Sequence, residues 1–134
     1  MRIRGLTREN AIPEARLRQM GITEASWSRD IEQGSLPGVV ALADERIVGY
    51  CFGAAQTGEV VVLALLPEAE GRGVGRHLLG AVTVQLRRAG HRRLFLGCST
   101  DPSCRAYGFY RHLGWRSTGT LDGHGDEVLE WLSP

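Results

Sequence analysis

Lysine is absent from this chain: all sixteen basic residues among its 134 are arginine. The phosphate-binding P-loop needs G-x-x-x-x-G-K-[ST], so that nucleotide-binding class is excluded. Cysteine is sparse and odd in number, with only Cys51, Cys98 and Cys104. No pair has C-x-x-C spacing, which leaves neither a zinc site nor a disulfide framework and reads as three small buried apolar side chains. His77, His91 and His112 show no metal-ligand spacing and read as surface or helix-end residues, so no metal is expected. No apolar run approaches the roughly 18 residues of a membrane-crossing helix, and Met1-Arg2-Ile3-Arg4-Gly5 lacks the apolar core of a signal peptide. A cytoplasmic chain with no membrane partner is therefore expected. Net charge is only +1, too small for a broad nucleic-acid footprint. The arginines are scattered, and the pairs Arg87-Arg88 and Arg92-Arg93 are expected to flank a helix C-terminus, where cations favour the dipole.

What is present is ordinary for one globular domain spanning 1–134: 43% hydrophobic and 23% charged residues, enough to bury a core. No repeat, low-complexity segment or linker interrupts it. Residues 2–6 read as a strand. Thr7 is placed to cap a weak helix over 9–20 ended by Gly21, and a second helix is expected over 23–33. Val39 to Ala43 and Arg46 to Ala54 form a hairpin around Asp44-Glu45. The strand Glu59 to Leu66 follows the turn at Gln56-Thr57-Gly58. Val74, Leu78, Val82 and Leu86 recur every four residues as the buried face of a helix that Gly90 stops. Leu94 to Cys98 is an apolar strand, Ser103 to Leu113 a helix, and Trp115 to Leu121 with Glu127 to Leu132 a closing pair of strands. The class is mixed α/β, in the order β-α-α-β-β-β-α-β-α-β-β.

The most informative stretch is Glu70-Gly71-Arg72-Gly73-Val74-Gly75-Arg76, which joins an apolar strand to an amphipathic helix. Glycines let the backbone approach an anion, and the unpaired N–H groups of the next helix's first turn then face it. A dinucleotide fingerprint, G-x-G-x-x-G, fails because counting from Gly71 and Gly73 the third glycine position holds Arg76. Arg72 and Arg76 lie inside the loop and can neutralise an anionic ligand.

With Gly73 and Gly75 in x-x-x-G-x-G after a strand and a proline, the chain resembles the GNAT family of acetyl-coenzyme A dependent N-acetyltransferases, whose motif A reads Q/R-x-x-G-x-G/A. The run Ser103 to Trp115 is similar to that family's motif B, N-x-x-A-x-x-F-Y-x-x-x-G-F. Ala106, Phe109, Tyr110 and Gly114 match in place, and Trp115 stands for the last aromatic. The element order is also the family's, so the resemblance spans nearly the whole chain. It implies a GNAT-like fold and acetyl-coenzyme A as cosubstrate, with no metal. Loop N–H groups from Gly71 through Arg76, Val74 included, are implied to hold the pyrophosphate. Main-chain groups of Leu63, Ala64 and Leu65 are implied to pair with the pantetheine, where a bulge splays their strand from its parallel neighbour. Two positions depart from the pattern. Glu70 replaces the usual glutamine or arginine, and Ser103 replaces asparagine; Ser103 reads mainly as a helix N-cap.

Acetyl transfer from a thioester needs a neutral amine, yet an alkylamine of pKa about 10 is protonated at neutral pH. Glu59, at the strand position where family members often carry an acidic base, is the candidate for removing that proton; a solvent-facing glutamate at a strand start fits the sequence equally. Tyr110 stands at the family's position for the acid that meets the leaving thiolate. Its alternative is plain core, since Ala106, Phe109, Tyr110 and Leu113 form one helical stripe. The resemblance implies that the acceptor, a small-molecule or peptide amine, meets the first two helices and the last hairpin, which supply Met20, Trp27, Asp122, His124 and Trp131. Trp27 with Ile31 reads otherwise as a helix-to-core stripe, and Asp122 to Asp126 primarily as a flexible hairpin turn. The reading is an acyltransferase of class EC 2.3.1 working through a direct ternary complex, with a non-catalytic acyl-coenzyme A sensor as the alternative. Many family members dimerise, so a homodimer stays open.

Overall fold

The computed structural model describes residues 2–5, 37–44 and 46–132. Seven strands form one sheet, β1 (Arg2–Gly5), β2 (Gly38–Ala43), β3 (Arg46–Ala54), β4 (Glu59–Leu65), β5 (Arg93–Cys98), β6 (Arg116–Leu121) and β7 (Glu127–Leu132), in the spatial order β1-β2-β3-β4-β5-β7-β6. Among the described residues two helices accompany it, α1 (Val74–Arg88) and α2 (Arg105–His112), with a 3-10 turn at Pro67–Ala69. The helices expected over 9–20 and 23–33, with Met20 and Trp27, lie outside the described residues. The remaining elements appear where the residue patterns put them, within two residues at each end. Among the described residues no helix is long and apolar enough to cross a membrane.

β2 and β3 form the expected hairpin, and Asp44 takes the left-handed conformation its turn requires, with φ 50°. Val74, Leu78, Val82 and Leu86 of α1 are all buried, together with Leu79. They pack on one face of the sheet against Val39, Val48, Val60, Leu94, Leu96 and Leu129. Close packing of α1 needs small strand residues: a Cβ on Gly53 would stand 2.9 Å from Leu86 Cδ1.

The β3–β4 ladder carries the irregularity that positions the site. Phe52 pairs with Val62 but Gly53 pairs with Val60, leaving Val61 as an extra residue on β4. Such a bulge reverses side-chain parity along its strand. Val60 before it and Leu63 and Leu65 after it therefore all join the α1 face, while Glu59 points to the opposite one. β4 and β5 are parallel and share a single register pair, Glu59 with Phe95, supported by Phe95 N–H donating to Gly58 O at 3.2 Å. Beyond that pair the two strands part.

Some details differ from expectation. Arg93 opens β5, donates to Glu130 Oε2 at 2.7 Å and lies over the Phe95 ring, so it is not a solvated helix end. His91 is half-buried and bonded to Ala55 O. Cys51 and Cys98 are buried but Cys104 is only partly so.

Because Leu86 is fully buried against a sheet that cannot collapse onto the space it leaves, Leu86→Ala is expected to destabilise the fold by about 3 kcal/mol. Val84→Ala, two residues earlier on the exposed face, is expected to stay within about 0.5 kcal/mol. Urea unfolding of both variants checks the assignment of the buried helix face.

Candidate active site

The loop after β4 gives the site its floor. Gly71 and Gly73 adopt φ 75° and 78°, conformations that side chains disfavour. A Cβ on Gly73 would meet nothing within 4 Å, whereas one on Gly75 would press on Leu65 Cδ1 at 3.3 Å and Phe109 Cζ at 3.5 Å. Gly73 is thus chosen for backbone shape, and Gly75 for contact between α1 and β4. The first intrahelical bond runs from His77 N–H to Gly73 O at 3.1 Å, so the N–H groups of Val74, Gly75 and Arg76 have no carbonyl partner within α1. They suit an anion.

Above this floor lies a cleft of about 270 Å³, lined by Leu63 and Leu65 from β4, Glu70, Gly71, Gly73, Val74, Gly75 and Arg76 from the loop and α1, and Arg105, Ala106, Phe109 and Tyr110 from α2. Ten residues expected at a cofactor site are therefore brought together. Ala64, Arg72 and Ser103 do not line it. Leu66 N–H donates to Val48 O at 2.8 Å, and alternate residues of a strand direct their backbone groups to opposite sides. Ala64 therefore faces β3 with Leu66, while the main-chain groups of Leu63 and Leu65 face the gap beside β5. Ser103 is not the N-cap of α2. Cys104 holds that position without a side-chain capping bond, and Ser103 N–H and Oγ donate to Asp101 Oδ1 at 2.9 and 2.7 Å.

Tyr110 is 8% exposed, edge-on to Phe109 and Trp115 at ring separations of 5.1 and 6.2 Å. α2 is held to β7 by the Arg111–Glu127 ion pair, which fixes the turn that carries it. Burial, with the neighbouring Cys51 and Cys98 adding to it, raises the phenol above its ordinary value and keeps it protonated. Burial likewise raises the Cys51 and Cys98 thiols, so neither has the character of a nucleophile.

Glu59 is half-buried at the point where β4 and β5 begin to part, on the face away from α1. It does not line the cleft. Its register partner Phe95 and then Gly97 share that face, and Asp122 Oδ2 lies 2.5 Å from where a Cβ on Gly97 would be. Asp122 Oδ1 is occupied by the N–H groups of His124 and Asp126 at 2.8 and 3.0 Å. Burial raises the Glu59 carboxyl above its ordinary value, the Asp122 carboxylate adds to this, and His124 offsets part of it. Asp122 and His124 thus lie near enough to Glu59 to act on its charge. Trp131 does not: it pairs with Leu94, on the α1 face, under the Arg87 guanidinium at 5.2 Å.

The sequence reading missed Arg105. It donates from Nη1 to Glu70 Oε2 at 3.0 Å, and nothing local announces a pair 35 residues apart. Phe109, part of the helical stripe of α2, is half-buried, packs against the core and also walls the cleft. Among the described residues no cluster of three or more His, Cys, Asp or Glu is arranged to hold a metal.

The family model for the Acetyltransferase (GNAT) family matches residues 6–115. No curated protein matches the chain. Among solved structures, the PaiA N-acetyltransferase of Thermoplasma acidophilum in complex with coenzyme A superposes with a TM-score of 0.77 at 18% identity, covering 98% of this chain and 99% of its own. An aminoglycoside 6'-N-acetyltransferase complexed with coenzyme A gives 0.74 at 16%, covering 98% and 97%. Ribosomal-protein-alanine N-acetyltransferase from Brucella melitensis gives 0.70 at 18%, covering 98% and 99%. At such identities these likenesses carry the fold.

The raised Glu59 carboxyl has a consequence for stability. A carboxyl whose folded pKa exceeds its unfolded one penalises the native state above the folded pKa, and the penalty vanishes below the unfolded one. Glu59→Gln is therefore expected to raise Tm at pH 7 and to lose that advantage by about pH 4. Thermal unfolding of both proteins across this range checks it; a difference independent of pH would remove the electrostatic account.

Proposed function

The chain belongs to the GNAT acetyltransferase family and is an acyltransferase, and on that premise we propose that it moves the acetyl group of acetyl-coenzyme A to a primary amine of a small molecule or peptide through a direct ternary complex. The observation that carries the reading is the parting of β4 from β5 after the single Glu59–Phe95 pair. It opens a passage through the sheet, with Tyr110 and the anion-binding loop on one face and Glu59 on the other.

The residues divide the work accordingly. Loop N–H groups and the Arg76 guanidinium bind the diphosphate. The freed main chain of Leu63 and Leu65 pairs with the pantetheine arm. Glu59, through water, takes a proton from the incoming ammonium. The amine nitrogen then bonds to the thioester carbonyl carbon, the carbon–sulfur bond breaks, and the extra proton on the new amide nitrogen passes through the Tyr110 hydroxyl to the departing sulfur, leaving the phenol neutral. A raised Glu59 pKa suits a base that must hold its proton briefly, whereas the raised Tyr110 phenol is too weak an acid to give up its proton outright and serves the sulfur as a hydrogen-bonding relay. The acidic pairing of Glu59 with Asp122 favours a cationic acceptor. Enzymes named for an aminoglycoside and for a ribosomal-protein alanine, both amine acceptors, share the fold.

Glu70 and Ser103, the two departures from the motifs, are what keep the non-catalytic sensor as the alternative. The pairing of Glu70 with Arg105 offsets the charge at the diphosphate position and so supports cofactor binding. Calorimetry with coenzyme A, and thiol release from acetyl-coenzyme A with a panel of amines, test the proposal: binding is expected, with turnover that depends on the amine. Absence of binding would overturn it.

Tyr110→Phe is expected to lower kcat about 100-fold while leaving coenzyme A affinity within about two-fold, read by steady-state kinetics and calorimetry. Full turnover would remove the acid assignment. Asp122→Asn withdraws a negative charge from Glu59, so the acidic limb of kcat/KM should move to lower pH. An unmoved limb would dissociate Glu59 from the base role.

A further inference from the structure

Two charged side chains at the mouth of the cleft have not been given a task. Arg105 Nη1 bonds Glu70 Oε2 at 3.0 Å, and Arg105 Nη2 lies 3.8 Å from where a Cβ on Gly71 would be. The guanidinium therefore bridges from the carboxylate to the first glycine of the anion loop, from the opposite wall to Arg76. Both partners line the cleft. They are largely open to water, Arg105 at 67% and Glu70 at 40% of the side chain. Pairs this exposed contribute little to stability and separate readily.

We infer that Arg105 is a ligand of the cofactor diphosphate, held neutralised by Glu70 until the cofactor arrives, so that the pair is an exchangeable electrostatic gate on the cleft. This rests on the coenzyme A reading above. Its physical basis is a competition for one planar, forked donor. A diphosphate offers more charge and more acceptor oxygens than one carboxylate, and guanidinium–phosphate bonds are charge-assisted and bidentate. Glu70, already half in solvent, turns outward when displaced. Among the described residues Arg76 has no ion-pair partner, so the empty mouth keeps one positive charge to attract the anion while Arg105 is kept from binding smaller anions. The arrangement also accounts for a glutamate where the family motif carries glutamine or arginine: the cation is supplied from α2, and the loop carries its counter-charge.

A double-mutant cycle tests this by calorimetric titration of coenzyme A into wild type, Glu70→Gln, Arg105→Gln and the double variant. Arg105→Gln should weaken binding about ten-fold, and Arg105→Lys should lose less. Glu70→Gln should tighten binding several-fold when Arg105 is present and less than about two-fold when position 105 is glutamine. Pantetheine, which lacks the diphosphate, should compete equally well for wild type and Arg105→Gln. Unchanged coenzyme A affinity in Arg105→Gln would overturn the assignment. Equal tightening by Glu70→Gln on both backgrounds would overturn the gate and leave only general repulsion. Wild-type protein that binds no coenzyme A overturns the cofactor reading itself, an outcome distinct from either.

Discussion

The structure depends on one pairing and on its not being continued. Glu59 and Phe95 are the only register pair between the parallel strands β4 and β5, at the centre of a seven-stranded sheet that is otherwise laddered on both sides. A parallel pair in such a position normally runs for several residues, because an unpaired buried backbone group costs about as much as a lost hydrogen bond. The bulge at Val61 prevents it by bending and twisting β4 just after the pair. The groups of Leu63 and Leu65 left over are compensated only if water or a ligand meets them. A sheet built in this way keeps an opening through its own middle.

That opening separates two environments. On the α1 face, Tyr110 sits among Cys51, Cys98, Phe109 and Trp115, a setting that keeps protons on oxygen and sulfur. On the opposite face, Glu59 lies near Asp122 and His124, where charge is plentiful. Tyr110 and Glu59 are thus held on opposite faces of the sheet, one on each side of the gap between β4 and β5.

Much of this was legible in the residues. The anion loop could be read because left-handed backbone at Gly71 and Gly73 demands glycine, and the α1 face because Val74, Leu78, Val82 and Leu86 repeat at helical spacing. Tyr110 was found through its spacing from Ala106 and Gly114 in a recognised motif. The failures have a common cause in parity and distance. Alternation along β4 alone would assign Glu59, Leu63 and Leu65 to one face; the resemblance implied a bulge in this strand, and the extra residue at Val61, whose position a run of three valines hides, puts Glu59 on the other. Trp131 was grouped with Asp122 as part of the last hairpin, but its pairing with Leu94 fixes it to the far face. Ser103 has the chemistry of a cap, yet Asp101, two residues earlier, captures its hydroxyl. Arg105 and Glu70 stand 35 residues apart, so neither implies the other.

The distribution of chemistry between backbone and side chain follows from the same plan. The loop and the freed strand segment present N–H and C=O groups, which any sequence with the right glycines supplies; side-chain changes such as Glu70 for glutamine then alter only the charges at the rim. The opposite face has no such backbone device and relies on side chains lent by the β6–β7 turn. That turn reaches β5 because β7 lies between β5 and β6, and because Gly97 has no Cβ to obstruct Asp122 Oδ2. A residue larger than glycine at 97 would push the turn away and take with it the carboxylate that raises Glu59. The face carrying Glu59 is therefore tunable through one hairpin, while the shape of the glycine loop on the other face is fixed by backbone.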